Sequence, residues 1–156
     1  MLAGGYHGGP CGSFSLPQDH KKAFEFWNRA AELGDAKSYS FLAELYYCGE
    51  GVVERDVKRA LHHFAQAAIR GHEMARHNLG AIEESENGNH RRAMKHYMIA
   101  ARGGLDNSLK KVGEGYKAGH VTKDEYARTL RAHKQATEEM KSEQRTKANK
   151  EDSLFV

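Results

Sequence analysis

Small and aromatic residues recur along this chain with the 3.6-residue period of an α-helix, and one pattern returns three times. In each copy Ala, an aromatic residue and Ala stand at positions i, i+4 and i+7, which form one face of a helix, and a glycine closes the segment. The segments are residues 21–34, 58–71 and 91–104, so their closing glycines are 37 and 33 residues apart. We call the helices that they predict the B helices.

A second periodic stretch precedes or follows each B segment, at residues 36–48, 73–86 and 106–118. We call the helices predicted there the A helices. A small residue follows a larger apolar one in each, as in Leu42-Ala43, and lets a partner helix approach closely. Because one helix pair cannot bury its apolar face alone, we predict an all-α chain in which about four two-helix repeats form a right-handed α/α superhelix, or solenoid.

Helix-end signals support these boundaries. Asp19, Asp56 and Asn89 stand where a side chain can cap the start of each B helix, and the closing glycines can end it. Thr122 and Glu125 form the spacing of a capping box, which predicts a further helix that covers the last repeat. We therefore assign residues 1–11 to an N-terminal remnant, 12–121 to repeats, 122–145 to a C-terminal capping helix and 146–156 to a disordered tail.

The pattern of the second unit resembles the SEL-one-like repeat (SLR), a relative of the tetratricopeptide repeat, and the resemblance covers about residues 12–126. The matching residues are Leu42, Ala43, Tyr46, Gly49, Gly51, Val52, Asp56, Ala60, Phe64, Ala67, Ala68 and Gly71. The third unit departs from the pattern, because a shorter turn at residues 85–89 replaces the Gly-x-Gly-Val loop. The first unit has almost no recognisable A helix, so we expect a truncated repeat there.

The resemblance implies a non-enzymatic protein–protein interaction scaffold or adaptor that binds a protein or peptide. In the related tetratricopeptide geometry the A helices line a concave surface, and carrying that geometry over by matching positions predicts the contact residues. They are Lys37, Ser40, Glu44, Tyr47, Met74, His77, Glu84, Asn107, Lys110, Glu114 and Lys117.

Charge leaves a second class of function open. The net charge is +3 with ten histidines, the pI is near 8.8, and basic residues are concentrated towards the carboxyl end. A nucleic-acid-binding helical repeat protein is therefore an alternative, although no nucleic-acid module accompanies the charge and we do not expect nucleic acid to be the partner. We expect His62 and His63 to lie on the solvated side of their helix.

Candidate chemistry is sparse, and a hydrolase-like repeat protein is the remaining alternative. The Ser-x-x-Lys sequence at residues 108–111 lacks the other motifs of penicillin-recognising enzymes. Gly113 and Gly115 suit helix packing better than a phosphate loop, because no strand precedes them. No histidines have the i, i+4 spacing with a nearby glutamate that marks a helical zinc site. We predict no catalytic, cofactor-binding or metal-binding residues and no small-molecule substrate.

The two cysteines bear on the compartment. Cys11 and Cys48 occupy equivalent places in neighbouring units, which stack about 8 to 10 Å apart, beyond the roughly 7 Å between Cα atoms that a disulfide tolerates, so we expect reduced, unpaired thiols. The amino terminus lacks the basic start and apolar stretch of a secretory signal. No apolar run approaches the roughly 20 residues that cross a bilayer. We expect a cytoplasmic protein without membrane insertion.

Overall fold

The computed structural model describes residues 20–49 and 52–154, and these residues form seven α-helices with no strand between them. The all-α fold class is confirmed, and each predicted B and A helix is present close to its predicted bounds. The chain divides into two compact units, Met1–His96 and Tyr97–Val156. The helices are α1 (His20–Glu32), α2 (Ala36–Cys48), α3 (Val57–Ile69), α4 (Glu73–Ser85), α5 (His90–Arg102), α6 (Asp106–Lys117) and α7 (Lys123–Leu154).

The predicted helix ends are confirmed wherever the structure describes them. The Asp56 carboxylate accepts a hydrogen bond from the Arg59 backbone amide at 3.0 Å, and the Asn89 side chain accepts one from the Arg92 amide at 3.1 Å. Asp19 lies outside the described residues. The three closing glycines adopt the left-handed conformation, with φ angles of 92° at Gly34, 86° at Gly71 and 101° at Gly104.

Two apolar clusters hold the first unit together, and α2 contributes to both. In one cluster Trp27 of α1 packs with Leu42 and Leu45 of α2. In the other, Phe64 of α3 packs with Ala43 of α2 and with the apolar face of α4. Because α2 lies against both α1 and α3, it buries two faces, and only a narrow strip of its surface remains accessible.

In the second unit, α6 packs against the start of α7 at a glycine. A Cβ atom added to Gly113 would lie 3.3 Å from the Tyr126 hydroxyl, which is tighter than ordinary contact. The Tyr126 ring also stacks on Tyr116, with 5.0 Å between ring centroids. The small residue at position 113 therefore allows the close helix approach that the sequence predicted.

The capping box at the start of α7 is confirmed. The Thr122 amide donates to Glu125 Oε2 at 2.9 Å, and the Glu125 amide donates to Thr122 Oγ1 at 3.2 Å. The helix then runs to Leu154, so the structure differs from the predicted disordered tail at residues 146–154. That stretch contains neither Gly nor Pro, the two residues that disfavour a helix most. The other domain boundaries stay predictions.

Residue Cys48 corrects the expectation of free thiols, because it is disulfide-bonded. The other cysteine of the sequence, Cys11, lies outside the described residues. The expectation was wrong because it used the distance between helix axes. Cys48 is the last residue of α2, where the chain turns into a loop, and the axis spacing does not fix the distances available to a helix end.

None of the described helices is long and apolar enough to span a membrane.

Candidate protein-binding surface

The predicted contact residues fall at four equivalent positions of the A helices, and the first of these positions is solvent-accessible in each of the three A helices that the structure describes. It is occupied by Lys37 in α2, Met74 in α4 and Asn107 in α6, and each side chain is exposed. Met74 exposes 39% of its surface, which is unusual for a large apolar side chain. This position offers a cation, a flexible thioether and an amide to a partner.

The second position corrects the prediction for two residues. Ser40 and His77 are buried, with 3% and 6% of their surface exposed, whereas Lys110 at the same position of α6 is exposed. Both lie at the edge of the accessible strip, seven residues before Tyr47 and Glu84 on the same helix side. Tyr47 and Glu84 are only partly buried, so burial changes along this one side of each helix. Ser40 and His77 are therefore not available to a partner.

Tyr47 is held in place by residues that the sequence analysis missed. Its hydroxyl donates a hydrogen bond to Glu86 Oε1 at 3.1 Å, and Arg55 forms an ion pair with the same carboxylate. The Arg55 guanidinium also lies 5.2 Å from the centroid of the Tyr47 ring. These contacts connect the end of α2 to the turn after α4. The tyrosine is thus a fixed, half-exposed aromatic group rather than a mobile one.

Glu44 lies one helical turn before Tyr47 and is half-buried. Burial of its carboxyl group disfavours the charged form and raises the pKa to about 7. A carboxylate that has lost part of its hydration gains more from a neighbouring cation than an exposed one does. The free energy of the charged Glu44 carboxylate therefore depends strongly on the charge of a group that binds beside it.

Exposed charges dominate the corresponding strip of the second unit. Lys110, Glu114 and Lys117 of α6 are all exposed. Glu114 Oε2 lies 4.0 Å from Lys111 Nζ on the same helix, and such an exposed ion pair contributes little to stability. The strip on α6 is thus open and polar, in contrast to the partly buried strip on α2.

His63 departs from its predicted solvated position, although His62 beside it is exposed as predicted. The imidazole of His63 stacks on the Tyr46 ring with 5.4 Å between centroids and an interplanar angle of 5°. Its Nδ1 atom is buried without a hydrogen-bond partner. Burial lowers the pKa of His63, and the neighbouring His62 and Arg59 lower it further. His63 is therefore a packing residue between α2 and α3.

A shallow pocket beside Tyr46 is lined by loop residues 52–56 and Arg59. The two guanidinium groups of the pocket already have carboxylate partners. Arg55 forms an ion pair with Glu86, and Arg59 Nε lies 3.5 Å from Asp56 Oδ2. This leaves little unpaired charge for a small anion. Among the residues that the structure describes, no group of three His, Cys, Asp or Glu side chains has an arrangement that could hold a metal ion.

Comparisons with known proteins find the same repeats along the chain. The family model for the Sel1 repeat matches residues 2–35, 36–72 and 74–105. The chitin synthase regulator SKT5 of Saccharomyces cerevisiae is 31% identical over 110 residues, which cover 65% of this chain and 15% of the yeast protein. The crystal structure of a Sel1 repeat protein from Oxalobacter formigenes matches with a TM-score of 0.61 and 29% identity, covering 78% of this chain and 52% of that one. This chain therefore spans about half or less of each relative's length.

Proposed function

The chain belongs to the Sel1 repeat family, and we propose that it is a non-enzymatic scaffold or adaptor that binds a protein or peptide through the exposed positions of its A helices. Sel1 repeat proteins are generally protein-interaction scaffolds or regulators. The yeast relative is a chitin synthase regulator. Its description supports a regulatory, non-catalytic role for this chain as well.

The arrangement of Glu44 and Tyr47 on α2 carries this proposal. Aromatic residues contribute a disproportionate share of binding energy at interfaces when their conformation is fixed before binding. Tyr47 meets that condition through Glu86 and Arg55. A partner that covers the tyrosine and places a lysine or arginine beside Glu44 offsets the lost hydration of that carboxylate. Lys37 and Met74 extend the same kind of mixed surface along the first unit.

Affinity capture from extracts of the source cells, followed by mass spectrometry, tests this proposal. The immobilised double variant Glu44→Lys/Tyr47→Ala is compared with the wild-type chain and with the control variant Lys58→Ala, which changes an exposed residue of α3. We expect a protein that the wild type and the control both retain and the double variant loses. A captured protein that all three retain equally contradicts the proposed surface.

Salt separates the proposed partner class from nucleic acid. Binding to phosphates falls by about 10³- to 10⁵-fold between 50 and 200 mM salt when six to ten phosphates are contacted. We expect the captured protein to remain bound over this range after nuclease treatment. Loss of the bound material under these conditions favours the nucleic-acid alternative instead.

The cytoplasmic location stays a prediction. The disulfide at Cys48 is the observation that bears on it, because disulfides persist mainly in oxidising compartments and are rare in the cytosol. Alkylation of the chain in intact cells, followed by peptide mapping, tests the prediction. A Cys48 thiol that is alkylated without a reductant agrees with a cytoplasmic location, and a protected one contradicts it.

A further inference from the structure

Helices α1 and α3 occupy the same place in successive repeats, but they are covered to different extents. On α3 the two repeat alanines, Ala60 and Ala67, are completely buried. On α1 the equivalent residues, Ala23 and Ala30, are only half-buried. The A helix that precedes α3 is α2, and its packing against α3 accounts for the difference.

Two exposed apolar side chains lie on the same side as Ala30, namely Phe26 of α1 and Leu33 in the turn that follows this helix. Phe26 exposes 67% of its surface and Leu33 exposes 90%. Exposed large apolar side chains on one side of an element are candidates for an interaction site. Phe26 and Leu33 are seven residues apart and lie on the same side as Ala30, whereas Ala23 already packs against the cluster around Trp27. We call Phe26, Ala30 and Leu33 the open face of α1.

The next repeat shows what covers the equivalent side of α3. The residues equivalent to Phe26 and Leu33 are His63 of α3 and Arg70, which directly follows α3. His63 stacks on the Tyr46 ring of α2, and the Arg70 guanidinium lies 4.5 Å from the centroid of the Tyr39 ring. Both positions thus contact aromatic side chains that are seven residues apart on the preceding A helix.

We propose that the open face of α1 binds an amphipathic α-helix of another protein, with aromatic side chains seven residues apart on either side of a small residue. This is the chemistry that α2 presents to α3 through Tyr39, Ala43 and Tyr46. The apolar Phe26 and Leu33 suit the faces of two aromatic rings, and Ala30 between them leaves room for the helix backbone to approach. This surface is separate from the A-helix positions of the proposed function.

A second copy of this chain does not supply such a helix without unfolding. The aromatic side of α2 is already packed against α3, with Ala43 in the same apolar cluster as Phe64. Offering it to another molecule requires breaking that cluster, which holds the first unit together. The occupant is therefore a helix whose aromatic side is not already packed in its own protein.

A synthetic peptide tests the proposal directly. The probe is an acetylated, amidated and fluorescein-labelled peptide with the sequence of residues 35–49, in which serine replaces the cysteine, and its anisotropy is measured as the whole chain is added. We expect wild-type binding to weaken at least about tenfold in Phe26→Asp and in Leu33→Asp. The matched control is Ile69→Asp on α3, which is 73% exposed and lies outside the open face. A peptide with alanine at both tyrosine positions should also bind at least about tenfold more weakly.

Several results overturn the proposal. One is the absence of wild-type binding at peptide concentrations on the order of 100 μM. Another is binding that survives Phe26→Asp or is lost equally in Ile69→Asp, since the peptide then lies elsewhere or the variants act on folding. Binding that appears only after deletion of residues 1–19 identifies the chain's own segment as the occupant. Sedimentation that shows a dimer abolished by Phe26→Asp identifies a second copy. If the milder variant Phe26→Ala also binds the peptide more weakly and keeps an unchanged far-ultraviolet spectrum, misfolding is excluded as the cause of the weaker binding.

Discussion

Helices α3 and α7 differ in what holds them in shape. α3 has 13 residues and completely buries Ala60, Phe64 and Ala67 against its neighbours. α7 has 32 residues, yet every side chain described from 138 onwards is exposed. Short helices are marginal in water without tertiary packing, whereas good helix formers sustain a long one locally. One chain therefore contains a helix that depends on its partners and a helix segment that depends on its own sequence.

The largest effect is expected from a cavity in α3. Phe64→Ala removes a completely buried ring, and such a change typically costs about 3 to 5 kcal/mol of unfolding free energy. Urea unfolding followed by circular dichroism measures it. The control is His62→Ala on the exposed side of the same helix, for which a change within about 0.5 kcal/mol is expected. Equal losses in the two variants contradict the assigned packing of α3.

The next effect concerns the start of α7, where local hydrogen bonds replace packing. Thr122→Ala removes the hydroxyl that accepts from the Glu125 amide, and loss of an N-cap costs about 1 kcal/mol. Thr146→Ala is the matched control, because its hydroxyl donates to the Ser142 carbonyl in the middle of the same helix. Thermal unfolding should show a lower midpoint only for Thr122→Ala. If both variants behave alike, the capping box does not stabilise α7.

A pH-dependent effect is expected from His63 in α3, because burial lowers its pKa below the ordinary value. As the pH falls below about 6.5, the unfolded histidine takes up a proton more readily than the folded one, so stability falls with acidification. His63→Phe removes this loss. The melting temperature of His63→Phe minus that of the wild type should therefore increase as the pH is lowered from 8 to 5.5. A constant difference across this range shows that His63 does not contribute to the pH dependence.

The smallest effect on stability is expected at the end of α7. Deletion of residues 146–156 removes side chains without described packing, so the free energy of unfolding should change by less than about 0.5 kcal/mol. The helical signal at 222 nm should nevertheless decrease, because residues 146–154 are helical. An unchanged total signal supports the disordered tail that the sequence predicted, and a lower melting temperature shows that the tail is packed.

Repetition made most of the fold predictable from sequence. The positions of the helices, the caps at Asp56 and Asn89 and the SEL-one-like resemblance are all confirmed. Each signal is local, or is repeated at a fixed spacing that one sequence is enough to reveal. At the end of α7 the sequence predicted a tail, and the structure continues the helix to Leu154 through a stretch without Gly or Pro.

The candidate site was less predictable, because burial at the edge of a helix face depends on neighbouring elements. Matching positions placed Ser40 and His77 on the accessible strip, but both are buried. His63 was expected in solvent because it was assigned to the polar side of its helix, and it instead packs on Tyr46. Whether the remaining contact residues bind a partner stays a prediction. The contacts of Tyr47 with Arg55 and Glu86 cross between repeats, and no periodic pattern reports such a contact.

The shortened turn after α4 has an evolutionary consequence. Glu86 occupies the repeat position that Gly49 holds in the preceding unit, where the chain turns with a φ of 71°. With a right-handed backbone at Glu86 instead, the carboxylate reaches Tyr47 and Arg55. In this unit the shorter turn and the acidic residue at position 86 therefore occur together. Homologues that retain a glycine at this position are expected to show covariation, with the tyrosine and arginine replaced together rather than independently.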